Sequence, residues 1–326
     1  MISLPYQDHL RLVWITDLHL ADVPPGRRSA NYREDILGKL RQVRDLCIEQ
    51  QAYCLCGGDV FHSKSPNSIA NSPSLIREVM EVFSQFPGHT VYGIVGNHDI
   101  QNDRMESLPQ QPLGVLVESG AYTVVEHMRF LGPVRVYVDG YNYRTGGQLL
   151  VDLERAPRAD KADCQIALCH AAAAPGKSKE LSGETIIGYD DLQQCNYDLI
   201  LWGHDHTRTE TQSCNAVTHV NLGSLARAAF SADESQRPVS AVLIEFSAEG
   251  SRIVEHPLQV CPFEQVFRTA DKAVVEVKKS EDMQAYFSGL THSVQDITSA
   301  DPIEVVERLT QDDLPLQAYI KEMCHL

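Results

Sequence analysis

Five short polar clusters, each standing at the end of an apolar run, constrain this chain more than any other feature. They read Asp17-Leu18-His19, Gly58-Asp59, Gly96-Asn97-His98-Asp99, a lone His170, and Gly203-His204-Asp205-His206. The runs before them have the length and character of β-strands, so each cluster falls where a strand hands over to a loop. Loops carried on a rigid sheet are where sites are built.

The residue types say which chemistry to expect. Asp and His offer oxygen and borderline nitrogen, a mixed set that suits Mn, Fe, Co or Zn better than Mg or Ca. No Cys lies in any cluster, which argues against a structural zinc-thiolate site. A two-metal centre clamps the attacking and leaving oxygens of an in-line displacement and needs one bridging carboxylate. Two divalent ions set against the carboxylates of Asp17 and Asp59, with Asn97 and neutral histidines, leave a positive cavity that attracts a phosphate anion. A bound metal also lowers the pKa of its water to about 7, so hydroxide is available as the nucleophile without a dedicated base. The leaving oxygen still needs an acid, for which His98 is the candidate.

The order of elements predicts an α/β fold. Arg11–Thr16 reads as a strand, and Asn31 with Glu34 three residues on reads as the start of a helix buried through Ile36, Leu40, Val43 and Cys47. A strand over Ala52–Cys56 follows, then a helix opened by Ser72-Pro73, then a strand over Thr90–Val95. This βαβαβ opening implies parallel strands with crossover helices. Short strands are expected between Ala121 and Asp139 and again at Gln165–Cys169, Asp198–Trp202, Val217–Asn221, Val239–Phe246 and Ile253–His256. The stretches Asp22–Ala30 and Ala171–Tyr189 read as long loops that wall a cleft. Cys54 and Cys56 alternate within a strand and are expected to be buried, reduced core residues.

The five clusters resemble the D-x-H, GD, GNH-[DE], H, GHxH pattern of the calcineurin-like metallophosphoesterase superfamily, roughly over residues 11–257. The resemblance implies a four-layer αββα sandwich of two mixed sheets flanked by helices. It implies that Asp17, His19 and His206 hold a first metal, that Asn97, His170 and His204 hold a second, and that Asp59 bridges them. His98 would lie beside the scissile phosphate, with Asp99 orienting its ring. Within the superfamily, Gly58-Asp59-Val60-Phe61-His62-Ser63-Lys64-Ser65-Pro66 is similar to the GD-[LI]-F-[HD]-x-x-x-P of SbcD-type DNA repair nucleases. Asn221-Leu222-Gly223-Ser224-Leu225-Ala226-Arg227 likewise resembles their NPGS-x-x-R stretch, with Leu222 in place of Pro. This implies a manganese-dependent DNA exo- or endonuclease in which His62 helps to place the strand. The alternative is a phosphatase or phosphodiesterase for nucleotides or another small phosphoester.

Charge favours that alternative, because a net −16 lacks the basic balance of phosphate-backbone binders. Against it stand basic residues near the site loops: Arg27, Arg28, Lys64, Arg104, Lys177, Lys179, Arg208 and Arg227. The catalytic domain is expected over residues 1–260. Residues 261–326 are expected to form a small acidic cap or partner-docking appendage, with helices opening at Asp301-Pro302 and Asp313. From Asp271 onward there are eleven acidic residues and five Lys or Arg. The candidate partners are DNA, an SbcC-like ATPase and a second copy in a homodimer. No membrane is expected, since no long apolar run exists and Met1–Asp8 is neither basic nor apolar, so a cytoplasmic location is expected.

Overall fold

The computed structural model describes residues 1–267 apart from 5–8, 27, 29–30, 133, 182–183, 193, 215, 229–231 and 248. Two mixed sheets pack face to face. The first has six strands in the order Gly250–Pro257, Ser240–Ser247, Leu10–Ile15, Tyr53–Cys56, Val91–Gly93 and Tyr122–Val124. Its last four strands run parallel, as the βαβαβ reading requires, and its first two pair antiparallel. The second has seven strands in the order Ile2–Leu4, His127–Phe130, Val136–Tyr141, Cys164–His170, Leu199–Gly203, Val217–Asn221 and Gln212–Cys214.

Strand alternation sorts the core into layers. Leu12, Trp14, Tyr53 and Leu55 face inward with Ile166, Leu168, Leu199 and Leu201, so one apolar cluster fills the space between the sheets. Val13, Ile15, Cys54 and Cys56 face outward and pack under the helices Tyr32–Gln50, Pro73–Phe83 and Pro112–Glu118. On the far side, Ala167, Cys169, Ile200 and Trp202 pack against the helix Gly146–Arg155 through Leu149 and Leu153. The expected αββα sandwich is present. Cys47, Cys54, Cys56, Cys164 and Cys169 are buried free thiols.

Helix Pro73–Phe83 starts as predicted, with the Ser72 side chain accepting from the Leu75 amide and Pro73 in the first turn. Asn31 holds the N-cap of Tyr32–Gln50, but without the side-chain cap bond expected of it. The helices Pro112–Glu118 and Gly146–Arg155 are additions to the predicted elements, and the latter opens with two poor helix formers, Gly146 and Gly147. Ala171–Tyr189 is not a plain loop: Ala173–Ala174, Lys179–Leu181 and Glu184–Gly188 form a three-stranded sheet of their own.

Of the C-terminal region, the short helix Phe263–Val266 is described, and Phe263, Val266 and Phe267 form a small buried cluster with the Arg28 guanidinium over the Phe267 ring. The expected helices from Asp301 and Asp313 lie outside the described residues. Among the described residues no helix is long and apolar enough to cross a membrane.

Candidate metal centre

Every cluster lies at the C-terminal end of a strand. Register aligns those ends: Ile15 pairs with Cys56, Cys56 with Gly93, and Gly203 with His170. Two glycines leave room at this edge, Gly57 within the six-stranded sheet and Gly203 where the seven-stranded sheet closes on it. A Cβ on Gly57 would lie 2.3 Å from Thr16 Oγ1, and one on Gly203 would lie 2.3 Å from the same atom and 2.7 Å from Gly57 O. Side chains from both sheets therefore share one pocket.

Asp17, His19, Asp59 and His204 all have left-handed backbones, with φ of 53°, 45°, 51° and 90°. Non-glycine residues rarely accept this conformation, and such strain concentrates at functional sites. Neighbouring backbone holds it in place, since Asp17 N–H donates to Gly58 O at 3.2 Å and His19 N–H to Asp59 O at 2.9 Å. The Asn221–Arg227 stretch clamps the same turn from below. Leu225 and Ala226 amides donate to the Thr16 and Asp17 carbonyls, and Ser224 Oγ donates to Asp17 O. Leu222 in place of Pro leaves a turn through Gly223 at φ 67°, closed by Gly223 N–H onto Asn221 Oδ1.

Two groups of ligand-type atoms result. In the first, His19 Nε2 is 2.8 Å from His206 Nε2 and 4.0 Å from Asp17 Oδ1, and His206 Nε2 is 3.8 Å from that same oxygen. In the second, His170 Nε2 and His204 Nδ1 each lie 3.1 Å from Asn97 Oδ1. Asp59 stands between, with Oδ2 3.6 Å from His19 Nε2 and Oδ1 3.5 Å from His170 Nε2. Asp17–His19–His206 and Asp59–His170–His204 are both groups able to hold a metal ion.

The donor chemistry fits cations. His170 Nδ1 is 2.6 Å from Gly57 O and His204 Nε2 is 2.7 Å from Glu184 Oε1. Those acceptors fix the far nitrogens as donors and turn the near nitrogens toward oxygens that themselves only accept. A proton on the near nitrogen, as on His170 in the metal-free chain, or a metal ion in its place must stand between them. Burial, aided by the rings of His206, His98 and His62, pushes His19 well below its ordinary pKa against the pull of Asp59, leaving it the neutral imidazole that a metal requires. Burial opposes ionisation of Asp59, yet His170, His19 and His98 outweigh it and hold the carboxyl far below the usual range. Such a cluster of imidazoles, carboxylates and an amide oxygen suits paired transition-metal ions.

The family model for calcineurin-like phosphoesterases matches residues 10–208. The chain belongs to that family. Members act with divalent metals, and the two groups above are this chain's candidates for holding them. No curated protein matches the sequence. Solved structures similar to this chain include the 5'-nucleotidase precursor of Thermus thermophilus, with 14% identity, a TM-score of 0.43 and coverage of 85% of this chain and 59% of that one. The chain thus spans less than two thirds of that protein's length. TT1561, also of Thermus thermophilus, is similar at 12% identity and TM-score 0.42, over 76% of this chain and 99% of that one. Vps29 of Chaetomium thermophilum follows at 11% identity and TM-score 0.34, over 76% and 98%.

His98 and His62 both border the pocket, with ring centroids 4.9 and 5.4 Å from that of His19. His98 N–H donates to Asp59 Oδ1 at 2.8 Å. The expectation for Asp99 needs correction. Its carboxylate accepts from the amides of Gly96, Val60 and Phe61, while His98 Nδ1 is 2.7 Å from the backbone oxygen of His62. Asp99 therefore ties the Gly58–Phe61 turn to the Gly96–Asp99 turn, and the His62 carbonyl orients the His98 ring. Burial and the neighbouring Asp59 push the Asp99 carboxyl up to about 7 against those amides.

The basic residues also divide. Arg28 is buried on Asp35, Arg208 is paired with Glu255, and Arg227 is turned inward onto Cys261 O. Lys64, Arg104, Lys177 and Lys179 are exposed, and Arg27 lies outside the described residues. Three contributors escape sequence reasoning. Thr16 Oγ1 donates to Asp17 Oδ2 at 2.6 Å, Glu184 meets His204, and the Tyr143 ring lies 5.7 Å from that of His204. Only Thr16, next to Asp17, carries a signal in the sequence.

Proposed function

We propose that this chain is a two-metal phosphodiesterase that cleaves DNA in the manner of SbcD-type nucleases, with manganese as its metal. Asp17, His19 and His206 would hold one ion and Asn97, His170 and His204 the other, with Asp59 shared between the two groups. The observation that carries the two-metal reading is the division of the Asp59 carboxylate, one oxygen toward His19 at 3.6 Å and the other toward His170 at 3.5 Å; the DNA reading rests on the Gly58–Pro66 and Asn221–Arg227 stretches. Bound divalent ions supply an activated water at neutral pH and offset the charge of a phosphate. The protein's own groups orient and exclude. Thr16 and the His204 amide fix the Asp17 carboxylate, and Gly57 O fixes the His170 ring. His98, aimed by the His62 carbonyl, stands at the pocket as the acid for the leaving oxygen. The His62 ring, 5.7 Å from His98 and stacked with it, supports a role in placing the strand. Among the described residues, exposed Lys64, Arg104, Lys177 and Lys179 are cations able to meet phosphates.

A second reading, hydrolysis of nucleotides or other small phosphoesters, is favoured by the net charge of −16 and by the internal use of Arg28, Arg208 and Arg227. Manganese-dependent cutting of single-stranded and duplex DNA, compared with phosphate release from monoesters, separates the two. Turnover of monoesters alone selects the second. Residues 261–326 are proposed to dock an ATPase partner or a second copy. Equal partner recovery by pull-down with and without residues 271–326 would remove that idea.

A further inference from the structure

We infer that Glu184 is a positioning residue that fixes the orientation and proton placement of the His204 ring, and through it the affinity of the second half of the metal centre. The inference rests on the two-metal reading above. His204 follows the strand Leu199–Gly203 with φ 90°, so its backbone is set and only its ring remains to be aimed. Nδ1 faces Asn97 Oδ1 at 3.1 Å, on the side where Asp59 and His170 converge. Nε2 faces away and meets Glu184 Oε1 at 2.7 Å.

A carboxylate oxygen only accepts, so Nε2 carries the proton and Nδ1 keeps its lone pair toward the ion. Without that acceptor the ring is free to flip or to carry its proton on the nitrogen that must ligate. A carboxylate behind a ligating histidine typically contributes about 10–100-fold in metal affinity.

The insert that carries Glu184 is built to hold it there. Glu184 opens the strand Glu184–Gly188, which pairs antiparallel with Lys179–Leu181, and Ile187 pairs with Ala173, three residues beyond His170. Thr185 Oγ1 donates to Glu180 Oε1 at 2.5 Å. Gly146, at the start of the helix Gly146–Arg155, packs so tightly on this strand that a Cβ there would lie 2.3 Å from Thr185 O. The small sheet thus begins beside one candidate ligand, His170, and returns to brace another, His204. The Glu184 side chain is 47% exposed, so the pair adds little to folding and the Glu184→Ala chain is expected to fold.

The test titrates the full chain, stripped by chelator, with Mn²⁺ by calorimetry, and follows the Mn²⁺ dependence of hydrolysis. The wild type is expected to take up two ions. Glu184→Ala should weaken one of them about 10–100-fold and leave the other unchanged, with turnover returning close to wild type at saturating Mn²⁺. Glu184→Gln, whose amide oxygen still accepts from Nε2–H, should restore most of the affinity. Wild-type affinity for both ions in Glu184→Ala overturns the inference and leaves the two-metal reading standing. Equal losses at both ions in the Ala and Gln variants, together with a lowered unfolding temperature, also overturn it. A wild-type chain that takes up no Mn²⁺ removes the two-metal reading itself, and the inference with it.

Discussion

The six-stranded sheet and the seven-stranded sheet hold their shares of the centre by different means. Asp17, His19 and Asp59 belong to the first, and their side chains are at most 2% exposed. They are held by backbone: three left-handed residues along two adjacent strand ends, each strained by on the order of 1–3 kcal/mol and kept by interlocking amide bonds. His204 and His206 belong to the second sheet and are 18% and 34% exposed. His204 shares the left-handed backbone, at φ 90°, and its ring is aimed by Glu184 on an inserted small sheet. The first side is a fixed frame kept under strain; on the second, His170 is as buried as the frame and set by Gly57 O, while His204 and His206 form an adjustable wall nearer to solvent.

The largest expected effect breaks the frame. Asp59→Ala removes the group that faces both halves, so elemental analysis of the purified variant should find neither ion and turnover should fall to background. Retention of both ions would overturn the bridging assignment and with it the contrast between frame and wall. His98→Ala sharpens the contrast instead. Its ring stands at the pocket edge while its amide serves Asp59, so the variant should keep both ions and lose about 10²–10⁴-fold in turnover. Loss of metal in His98→Ala would move His98 into the frame.

The frame was legible in the sequence and the wall only in part, for physical reasons. Alternation in Leu12-Val13-Trp14-Ile15 and Tyr53-Cys54-Leu55-Cys56 announces strands buried on both faces, and the polar residues that follow have no place but the strand ends. Glu184 lies between stretches with no periodicity, and its partner His204 is twenty residues away, so only folding of the insert makes the pair visible. Asp99 misled by adjacency. It follows His98, but its carboxylate turns to the amides of Gly96, Val60 and Phe61, where three donors outcompete a single ring. The basic residues misled because charge is read from sequence and pairing is not: Arg28 is buried on Asp35 and Arg208 is paired with Glu255.

A smaller effect comes from forcing frame and wall apart. In Gly203→Ala the new methyl would meet Thr16 Oγ1 at 2.3 Å and Gly57 O at 2.7 Å, the one on a buried side chain and the other on packed backbone. Overpacking of this kind costs about 1–3 kcal/mol, read as a lowered urea midpoint. Because the wedge separates the sheets at the edge where the ligands meet, metal affinity should drop along with stability. Unchanged affinity in a destabilised variant would show that the wall adjusts independently of the frame.

The finest test is the pH dependence of His170, the buried residue of the second sheet that touches the frame most closely. Burial disfavours its charge, but Asp59 outweighs burial and raises the ring from its ordinary 6.5 to about 9 in the metal-free chain. A raised value means that the proton stabilises the folded form. That contribution is fully present below pH 6.5 and is lost as pH climbs through about 9. A divalent ion between Asp59 and His170 takes over the role of the proton, which must leave for Nε2 to ligate. The urea midpoint of the chelator-stripped chain should therefore fall between pH 6.5 and about 9, while that of the manganese-loaded chain should not share this fall. Manganese binding at pH 7 should release a proton and strengthen as pH rises toward that value. A stripped chain whose midpoint is flat across this window would mean that Asp59 and His170 are not charge-paired, and the contact joining the frame to the second sheet would be packing alone.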